Sequence, residues 1–263
     1  GSQAAEVHHP RWFLAHLPEN SKIRFETLSL SMVGLTVAGP RSRDVLQKLT
    51  DTDLSNDSFK WLTGKKINVG YGTAEALRVN FVGELGWELH HPIEMQNYIF
   101  DELMKAGAEF DIKPFGIRAM DCMRLEKSYR LIPREMSIEY SAMESALGRF
   151  VRLEKEGDFI GKDALAAWEE RGAENAFATI EVHGVTDADA RGSEAIYKDG
   201  ELVGRTTSGG YGWRIQKSLA LGMVKTGLEV VGTELEIEIL GNMYKATVVE
   251  ESPFDPTNIK LRA

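Results

Sequence analysis

The hydrophobic and polar positions between residues 22 and 49 predict a strand, a turn and a short helix, in that order. The turn falls at Ala38-Gly39-Pro40, and proline suits the first turn of a helix because its missing N–H would have no partner there. The helix is predicted from apolar residues at helical spacing, namely Val45, Leu46 and Leu49. This strand-turn-helix unit indicates a mixture of α and β structure.

The next segment has the period of β-strands and then returns to that of a helix. Residues 61–71 and 77–81 predict strands, and the second should pair through a turn at 83–86 with a strand at 87–91. A helix ending at Gly107 should follow, because apolar residues recur every three or four positions at Met95, Tyr98, Ile99, Leu103 and Ala106. The order of elements predicts an α+β fold with a ferredoxin-like α/β lobe, in which helices cover one face of the sheet.

A second helical run, over residues 117–129, carries charges at regular intervals. The charges are Arg118, Asp121 and Arg124, three residues apart. Side chains at this spacing are neighbours on a helix surface and can form ion pairs. Exposed pairs of this kind contribute about 0.2–0.5 kcal/mol each. We therefore expect structural ion pairs first, and ligand contact by Arg118 or Arg124 only second.

The C-terminal part of the chain changes to the two-residue period of strands. Predicted strands lie at 177–183, 195–198, 202–206 and 235–239. Asp199-Gly200 is a strong signal for a tight hairpin, and the glycine-rich segment 208–212 is expected to form a loop. Residues 171–263 should therefore form an antiparallel β-barrel or sandwich.

Composition narrows the class of protein. The 263 residues are 43% hydrophobic and 27% charged, as is typical of a soluble globular protein. A formal charge of −9 argues against a nucleic-acid surface, and no apolar run approaches the roughly 20 residues that a membrane helix needs. The single cysteine, Cys122, excludes an internal disulfide and is expected to be a buried, inert thiol.

Motifs for metals and nucleotides are absent from the sequence. None of the six histidines forms the i, i+4 pair with a carboxylate that a helical metal site would use. The sequence also has no G-x-G-x-x-G, no phosphate loop of the Walker type and no G-x-S-x-G. We therefore expect no metal, and no nucleotide cofactor bound through these motifs.

The predicted hairpin carries the strongest candidate site. Because successive side chains of a strand point to opposite faces, Trp87 and Leu89 should lie in the core, whereas Glu84, Glu88 and His90 should share the other face. A carboxylate beside an aromatic residue accepts two hydrogen bonds from an amide-plus-amine edge, which a pterin or a purine presents. A solvated strand glutamate is the competing interpretation, and spacing alone favours it narrowly.

Four segments, in the same order along essentially the whole chain, carry a family resemblance. They are FVGELGWELH at 81–90, FGIRAMDCMRLEK at 115–127, GDFIGK at 157–162 and TSGGYG at 207–212. Together they resemble the glycine-cleavage T-protein (aminomethyltransferase) family, and within it the folate-binding C-terminal portion of dimethylglycine and sarcosine dehydrogenases or oxidases. The resemblance implies a three-lobed fold with tetrahydrofolate bound in a central hole.

The resemblance also implies which residues bind folate. The second glutamate of the family's G-E-x-G-x-E motif binds the pterin and corresponds to Glu88, while Phe81 would stack nearby without the hydroxyl of the tyrosine that many relatives have. T-proteins have an arginine at the position of Met120, so its absence here favours the dehydrogenase branch. The set of expected cofactor-binding residues is completed by His90, Glu84 and Arg118.

The same resemblance divides the chain into parts of the family's lobes. We expect a remnant of the N-terminal lobe at 1–20, the ferredoxin-like α/β lobe at 21–112, a segment returning to the N-terminal lobe at 113–170 and the β-barrel at 171–263. The family's catalytic aspartate would lie upstream of Gly1, so no catalytic residue is assigned within this chain.

The resemblance implies the tetrahydrofolate-dependent one-carbon transferase portion of a flavoprotein that oxidises N-methyl amines such as dimethylglycine or sarcosine. FAD would bind only to an upstream domain or subunit, and the isolated chain would bind folate weakly with little turnover. The partners would be folate, the methylated amine and the flavin domain, in the cytoplasm or, in a eukaryote, the mitochondrial matrix. The alternatives are a non-catalytic folate-binding or docking module, and a fragment of a stand-alone folate-dependent demethylase.

Overall fold

A computed structural model describes residues 3–263, and these residues form two compact units. The first, which we call the sheet unit, contains the described chain up to Asn80, together with Glu84–Lys113 and Arg262–Ala263. The second, the barrel unit, contains Phe81–Gly83 and Pro114–Leu261. Each unit has its own hydrophobic core.

The sheet unit is a four-stranded antiparallel sheet with helices. Its elements are α1 (Gln3–Ala15), β1 (Met32–Ala38), α2 (Ser42–Gln47), β2 (Gly64–Val69), β3 (Gly72–Leu77), β4 (Gly86–Pro92) and α3 (Gln96–Gly107). The strand order is β1-β4-β3-β2. The predicted helices after Pro40 and before Gly107 are confirmed.

One face of this sheet is buried beneath α2 and α3. The core combines Val45 and Leu46 of α2 and Ile99 and Leu103 of α3 with the inward side chains of all four strands. Those strand residues are Val37, Ile67, Val69, Ala74, Ala76, Trp87 and Leu89. Since strand side chains alternate, the residues between them lie on the opposite face, which we call the open face.

The strand predicted at 77–81 is wrong in its position. The partner of β4 is β3, which ends at Leu77, with Glu75 opposite His90 and Leu77 opposite Glu88. The chain leaves the sheet at Arg78, whose buried guanidinium donates to the carbonyl oxygen of Phe59 at 2.6 Å. The predicted strand at 61–71 is also too long, since β2 spans Gly64–Val69 and Gly70, with a φ of 58°, turns the chain into β3.

The barrel unit contains a closed barrel of six antiparallel strands in the order β10-β5-β8-β7-β6-β9. Its elements are α4 (Ile117–Leu125), α5 (Lys162–Arg171), β5 (Asn175–Val182), β6 (Ala195–Lys198), β7 (Glu201–Gly212), β8 (Lys217–Lys225), β9 (Glu234–Ile239) and β10 (Asn242–Val249), followed by α6 (Ile259–Arg262), whose last residue belongs to the sheet unit. The α+β class with a C-terminal antiparallel barrel is therefore confirmed. The helix predicted at 117–129 is shorter than expected, since Ser128 already has a φ of 54°.

The barrel has two apolar clusters. Its interior is filled mainly by branched side chains such as Ile180, Ile196, Ile237 and Val248. The other cluster joins the end of α4 to the outer side of β5 and β8, through Leu125, Phe177, Leu221 and Met223. The helix therefore packs directly on the barrel wall.

The glycine-rich segment 208–212 was expected to be a loop, and this prediction is wrong because the segment lies within β7. A Cβ atom at Gly209 would lie 2.3 Å from the carbonyl oxygen of Ala190, a backbone atom that cannot move aside easily. Glycine at this position is required by the close approach of two chain segments rather than by a turn.

Replacing Gly209 with alanine should destabilise the protein by about 1–3 kcal/mol, because the added methyl group must displace the backbone at Ala190. The measurement is the free energy of unfolding in urea. Gly157→Ala is the matched control, since an added Cβ at Gly157 meets nothing within 4 Å. Equal stability of the two variants would show that the barrel does not depend on this close approach.

Candidate functional site

Glu88 and His90 lie side by side on the open face of the sheet. Their neighbours Trp87, Leu89 and His91 are buried on the helix-covered face, so the alternation of β4 turns Glu88 and His90 the other way. The side chain of Glu88 is 32% exposed and that of His90 is 41% exposed. The Nε2 atom of His90 lies 3.3 Å from a carboxylate oxygen of Glu88. The sequence-based assignment of these two side chains to one face is confirmed.

Cross-strand neighbours flank this pair on both sides. Thr36 on β1 and Leu77 on β3 lie opposite Glu88, while Gly34 on β1 and Glu75 on β3 lie opposite His90. All four flanking residues are exposed. A ligand approaching the open face therefore reaches the carboxylate of Glu88 without displacing core side chains.

Glu84 is positioned differently from Glu88. It precedes β4, which begins at Gly86, so the alternation that places Glu88 and His90 does not extend to it. The side-chain amide of Asn80 donates to the carbonyl oxygen of Glu84 at 2.6 Å and bridges the connection between β3 and β4. This bond fixes the backbone of Glu84.

Phe81 belongs to the barrel unit, where its ring stacks on that of Tyr129. The ring centroids are 5.6 Å apart, with an angle of 30° between the planes. Burial raises the pKa of the Tyr129 phenol, Asp255 raises it further, and Arg214 opposes the shift, so the phenol is neutral at pH 7. Sequence reasoning missed Tyr129 because nothing in the local pattern indicates contact with so distant a residue.

Arg118 and Arg124 differ sharply although they lie on the same helix. Arg118 is exposed in the first turn of α4 and joins none of the ion pairs found among residues 3–263. Arg124 is fully buried, and its guanidinium contacts Asp121 at 2.7 Å, Glu135 at 3.4 Å and the hydroxyl of Ser208 at 2.7 Å. The expected structural ion pair between Arg124 and Asp121 is confirmed, and the arginine in it is fully buried.

Further buried cations of the barrel unit are also bound by protein groups. The ammonium group of Lys127 donates to the carbonyl oxygens of Phe254 and Asp255 at 3.0 and 2.8 Å. Arg130 pairs with Glu251 at 2.7 Å and lies 3.8 Å from the centroid of the Phe177 ring. These contacts attach the segment around residue 254 to the chain that follows α4, so they are structural.

A cavity of about 590 Å³ lies in the barrel unit. It is lined by the loop around Pro133 and by Arg205, Thr206 and Thr207 of β7. None of the five expected cofactor-binding residues lines it.

In the described part of the chain, no group of three or more histidine, cysteine, aspartate or glutamate side chains is arranged to hold a metal ion. No helix among residues 3–263 is long and apolar enough to cross a membrane.

Comparison with known families places the chain in one of them. The family model for the GCVT N-terminal domain matches residues 1–155, and that for the glycine cleavage T-protein C-terminal barrel domain matches residues 176–255. The second match coincides with the six-stranded barrel. The chain belongs to the glycine-cleavage T-protein family.

Several curated proteins are similar to this chain. Dimethylglycine dehydrogenase from Homo sapiens mitochondria is 39% identical over 98% of the chain, but the chain covers only 30% of that protein. Mitochondrial sarcosine dehydrogenase from Mus musculus is 32% identical over 87% of the chain, which covers 25% of it. An aminomethyltransferase from Geobacillus sp. (strain WCH70) is 31% identical over 92% of the chain, which covers 65% of it. The chain therefore spans less than a third of the dehydrogenases that it matches.

A solved structure supports the fold. Glycine cleavage system aminomethyltransferase T from Bartonella henselae matches with a TM-score of 0.74 at 22% sequence identity. The match covers 86% of this chain and 60% of that structure's chain.

Replacing Arg124 with leucine should destabilise the protein by about 3–5 kcal/mol, since Glu135 would remain buried without its cation. The measurement is the free energy of unfolding in urea. Arg152→Leu is the control, because Arg152 is exposed and its contact with Glu154 is 3.9 Å long, so its loss should cost less than about 1 kcal/mol. If Arg124→Leu lowers the free energy of unfolding no more than Arg152→Leu does, the fold does not need this arginine, and a ligand role would be the better explanation for it.

Cys122 is only partly buried, so the expectation of a buried thiol is wrong, but the cysteine should still react slowly with thiol reagents. Burial raises the pKa of the Cys122 thiol, and the nearby Asp121 and Glu126 carboxylates raise it further, so less thiolate is present at pH 8 than in an exposed cysteine. The rate of reaction with Ellman's reagent at pH 8 should therefore be lower for the folded chain than for the same chain in urea. A folded-state rate equal to or above the unfolded rate would contradict an inert thiol.

Proposed function

We propose that this chain is the folate-binding, one-carbon-transfer portion of a protein that oxidises N-methyl amines of the dimethylglycine or sarcosine type. Membership of the T-protein family and the similarity to dimethylglycine dehydrogenase over nearly the whole chain support this proposal. The observation that carries it is the position of Glu88, a partly exposed carboxylate on the open face of the sheet. Oxidation of the amine would occur in another part of the full-length protein, where FAD would bind.

The groups around Glu88 fit the edge of a tetrahydrofolate pterin. That edge presents an amide N–H beside an amine, and the carboxylate of Glu88 accepts both hydrogen bonds as a charged acceptor. The imidazole of His90 contacts the same carboxylate and restricts its rotation. When bound, tetrahydrofolate supplies the nitrogen atom that takes up the one-carbon unit. The chain's own contribution is to bind and orient the ring.

Three further residues belong to the proposal. Phe81 has a ring partner in Tyr129, which gives the barrel unit an aromatic pair suited to stacking. Arg118 is exposed, as a residue that binds an anionic folate tail would have to be. Glu84 lies four residues before Glu88 and has a fixed backbone. Each role is a proposal that substitution of the residue would test.

The amine-oxidising branch is favoured over the glycine-cleavage branch. Met120 stands where the family resemblance expects an arginine in glycine-cleavage enzymes. The chain is also 39% identical in sequence to the human dimethylglycine dehydrogenase, compared with 31% to the Geobacillus aminomethyltransferase. We therefore propose that this chain alone binds folate weakly and does not catalyse turnover, since no acid–base residue is assigned in it.

A docking module is the second candidate. Several apolar side chains of α1 and the following segment are exposed, including Trp12 at 48%, Phe13 at 43% and Leu30 at 89%. Large exposed apolar patches are uncommon on monomers and are typical of interaction surfaces. A docking module of this kind would show no saturable binding of folate, which separates the two candidates.

Glu88→Ala should weaken the binding of folinic acid by about ten- to a hundredfold, the loss expected for charge-assisted hydrogen bonds. The measurement is isothermal titration calorimetry on the full chain. Stability should change little, because Glu88 lies on the open face rather than in the core.

Glu94→Ala is the matched control for this experiment. Glu94 is exposed in the same unit, and its replacement by alanine removes the same charge. It lies beyond the end of β4. Its substitution should leave the affinity within about twofold, given that exposed charges act weakly at a distance. Equal affinities of the Glu88 and Glu94 variants would remove Glu88 from the site.

A further inference from the structure

The cavity beside Pro133 has no role in the proposed function. Its lining comes entirely from the barrel unit, namely from the loop at 132–139, from Ser193 and from residues 205–207 of β7. Sites for small molecules typically measure about 300–1,000 Å³. A cavity of about 590 Å³ therefore has room for a small organic ligand.

The buried carboxylate of Glu135 fixes the loop wall of the cavity to the barrel. It accepts hydrogen bonds from the N–H of Leu131 at 2.9 Å, from the hydroxyl of Thr207 at 2.6 Å and from that of Ser208 at 2.5 Å. The guanidinium of Arg124 lies 3.4 Å away and balances its charge. Because these contacts hold the loop against β7, the cavity is preformed, and binding there does not have to order its walls.

Arg134 lines the cavity as a cation without a carboxylate partner. The residue is partly buried, and its Nη1 atom donates to the carbonyl oxygen of Arg191 at 3.2 Å and to the hydroxyl of Ser208 at 3.4 Å. Among residues 3–263 it joins no ion pair, and its Nη2 and Nε atoms donate to no protein group. A guanidinium that has lost part of its water is stabilised by an anion, so these unused donors favour an anionic ligand.

Arg205 supplies a second guanidinium group from β7. It pairs with the carboxylate of Glu139, and its Nε atom donates to the hydroxyl of Tyr140 at 2.9 Å. The side chains of the pair are 47% and 55% exposed. Exposed ion pairs are weak, so the carboxylate of a ligand can replace Glu139 and bind this guanidinium through two parallel hydrogen bonds.

The hydroxyl groups in the lining add donors rather than acceptors. Thr206 and Thr207 each donate to a glutamate carboxylate of the barrel unit. The hydroxyls of Ser137 and Ser193 donate to no group in the part of the chain that the structure describes. The lining side chains thus have more unused donors than acceptors, and their two guanidinium groups outnumber their single carboxylate.

We propose that this cavity is a binding site for a small organic monocarboxylate with an apolar body, whose carboxylate binds Arg134 and Arg205. The excess of one cation in the lining matches a ligand with a single negative charge. Ile132, Met136 and Ile138 also line the cavity and give the body of the ligand apolar contacts that an inorganic anion could not use. The site shares no residue with the proposed folate site and does not depend on it.

The test is the binding of hexanoate to the full chain, measured by NMR titration at pH 7. A ligand of this size should bind with a Kd of about 1–10 mM. Arg134→Gln should weaken binding about tenfold, because the charge-assisted hydrogen bonds are lost. Arg152→Gln is the matched control, since Arg152 is an exposed arginine of the same unit outside the cavity, and it should stay within about twofold.

Glu139→Gln should change the affinity in the opposite direction. It removes the carboxylate that competes for Arg205, so hexanoate should bind about two- to fivefold more tightly. Damage to the fold would not raise the affinity, which makes this variant independent of the loss expected for Arg134→Gln. The thermal unfolding midpoint of each variant is measured alongside. If Arg134→Gln unfolds early, an unchanged affinity in the Glu139→Gln chain is enough to overturn the proposal.

Hexylammonium and inorganic phosphate test the class of ligand. Hexylammonium has the same apolar body with the opposite charge, and phosphate has the negative charge without the body, so both should bind more weakly than hexanoate. The proposal is overturned if hexanoate shows no saturable binding, if it binds equally to the Arg134→Gln and Arg152→Gln chains, or if either of the other probes binds more tightly. Glu88→Ala should leave hexanoate binding unchanged, so this result and the fate of the folate site are read separately.

Discussion

The candidate site depends on the burial of Trp87 in β4. The indole is fully buried, meets the edge of the Phe59 ring at 6.2 Å between centroids, and has the guanidinium groups of Arg43 and Arg78 each 5.7 Å from its ring. Removing a buried tryptophan typically costs about 3–5 kcal/mol, so the register of this strand is strongly specified. A slip by one residue would exchange the two faces and bury Glu88. The position of the carboxylate is therefore a consequence of core packing on the other side of the sheet.

The barrel unit shows that a family motif also has structural uses. Within the segment 115–127, Arg124, Glu126 and Lys127 are fully buried or nearly so, and each contacts groups of the same unit. Arg214 pairs with Glu126 and lies 3.7 Å from the centroid of the Phe254 ring. Buried charges are costly unless they are paired, so these partners must be kept together. Arg118 of this segment is exposed, and its contact with a ligand stays a prediction.

Local patterns predicted the parts of the fold that local physics determines. The two-residue period placed Trp87 and Leu89 inward and Glu88 and His90 outward, and Asp199-Gly200 marked a turn in which both residues have positive φ. Contacts between distant residues were beyond this approach. Arg78 ends β3 by bonding to the carbonyl oxygen of Phe59, and Gly209 must be glycine because the backbone of Ala190 approaches it. The same limit explains why the burial of Arg124 and the stacking of Tyr129 on Phe81 were not predicted.

A crystal structure of this chain with folinic acid would test the account most directly. We predict that the amide and amine edge of the pterin lies about 2.7–3.1 Å from the Glu88 carboxylate oxygens. Ligand density in the cavity beside Pro133, with no contact between the ligand and the Glu88 carboxylate, would contradict the central claim.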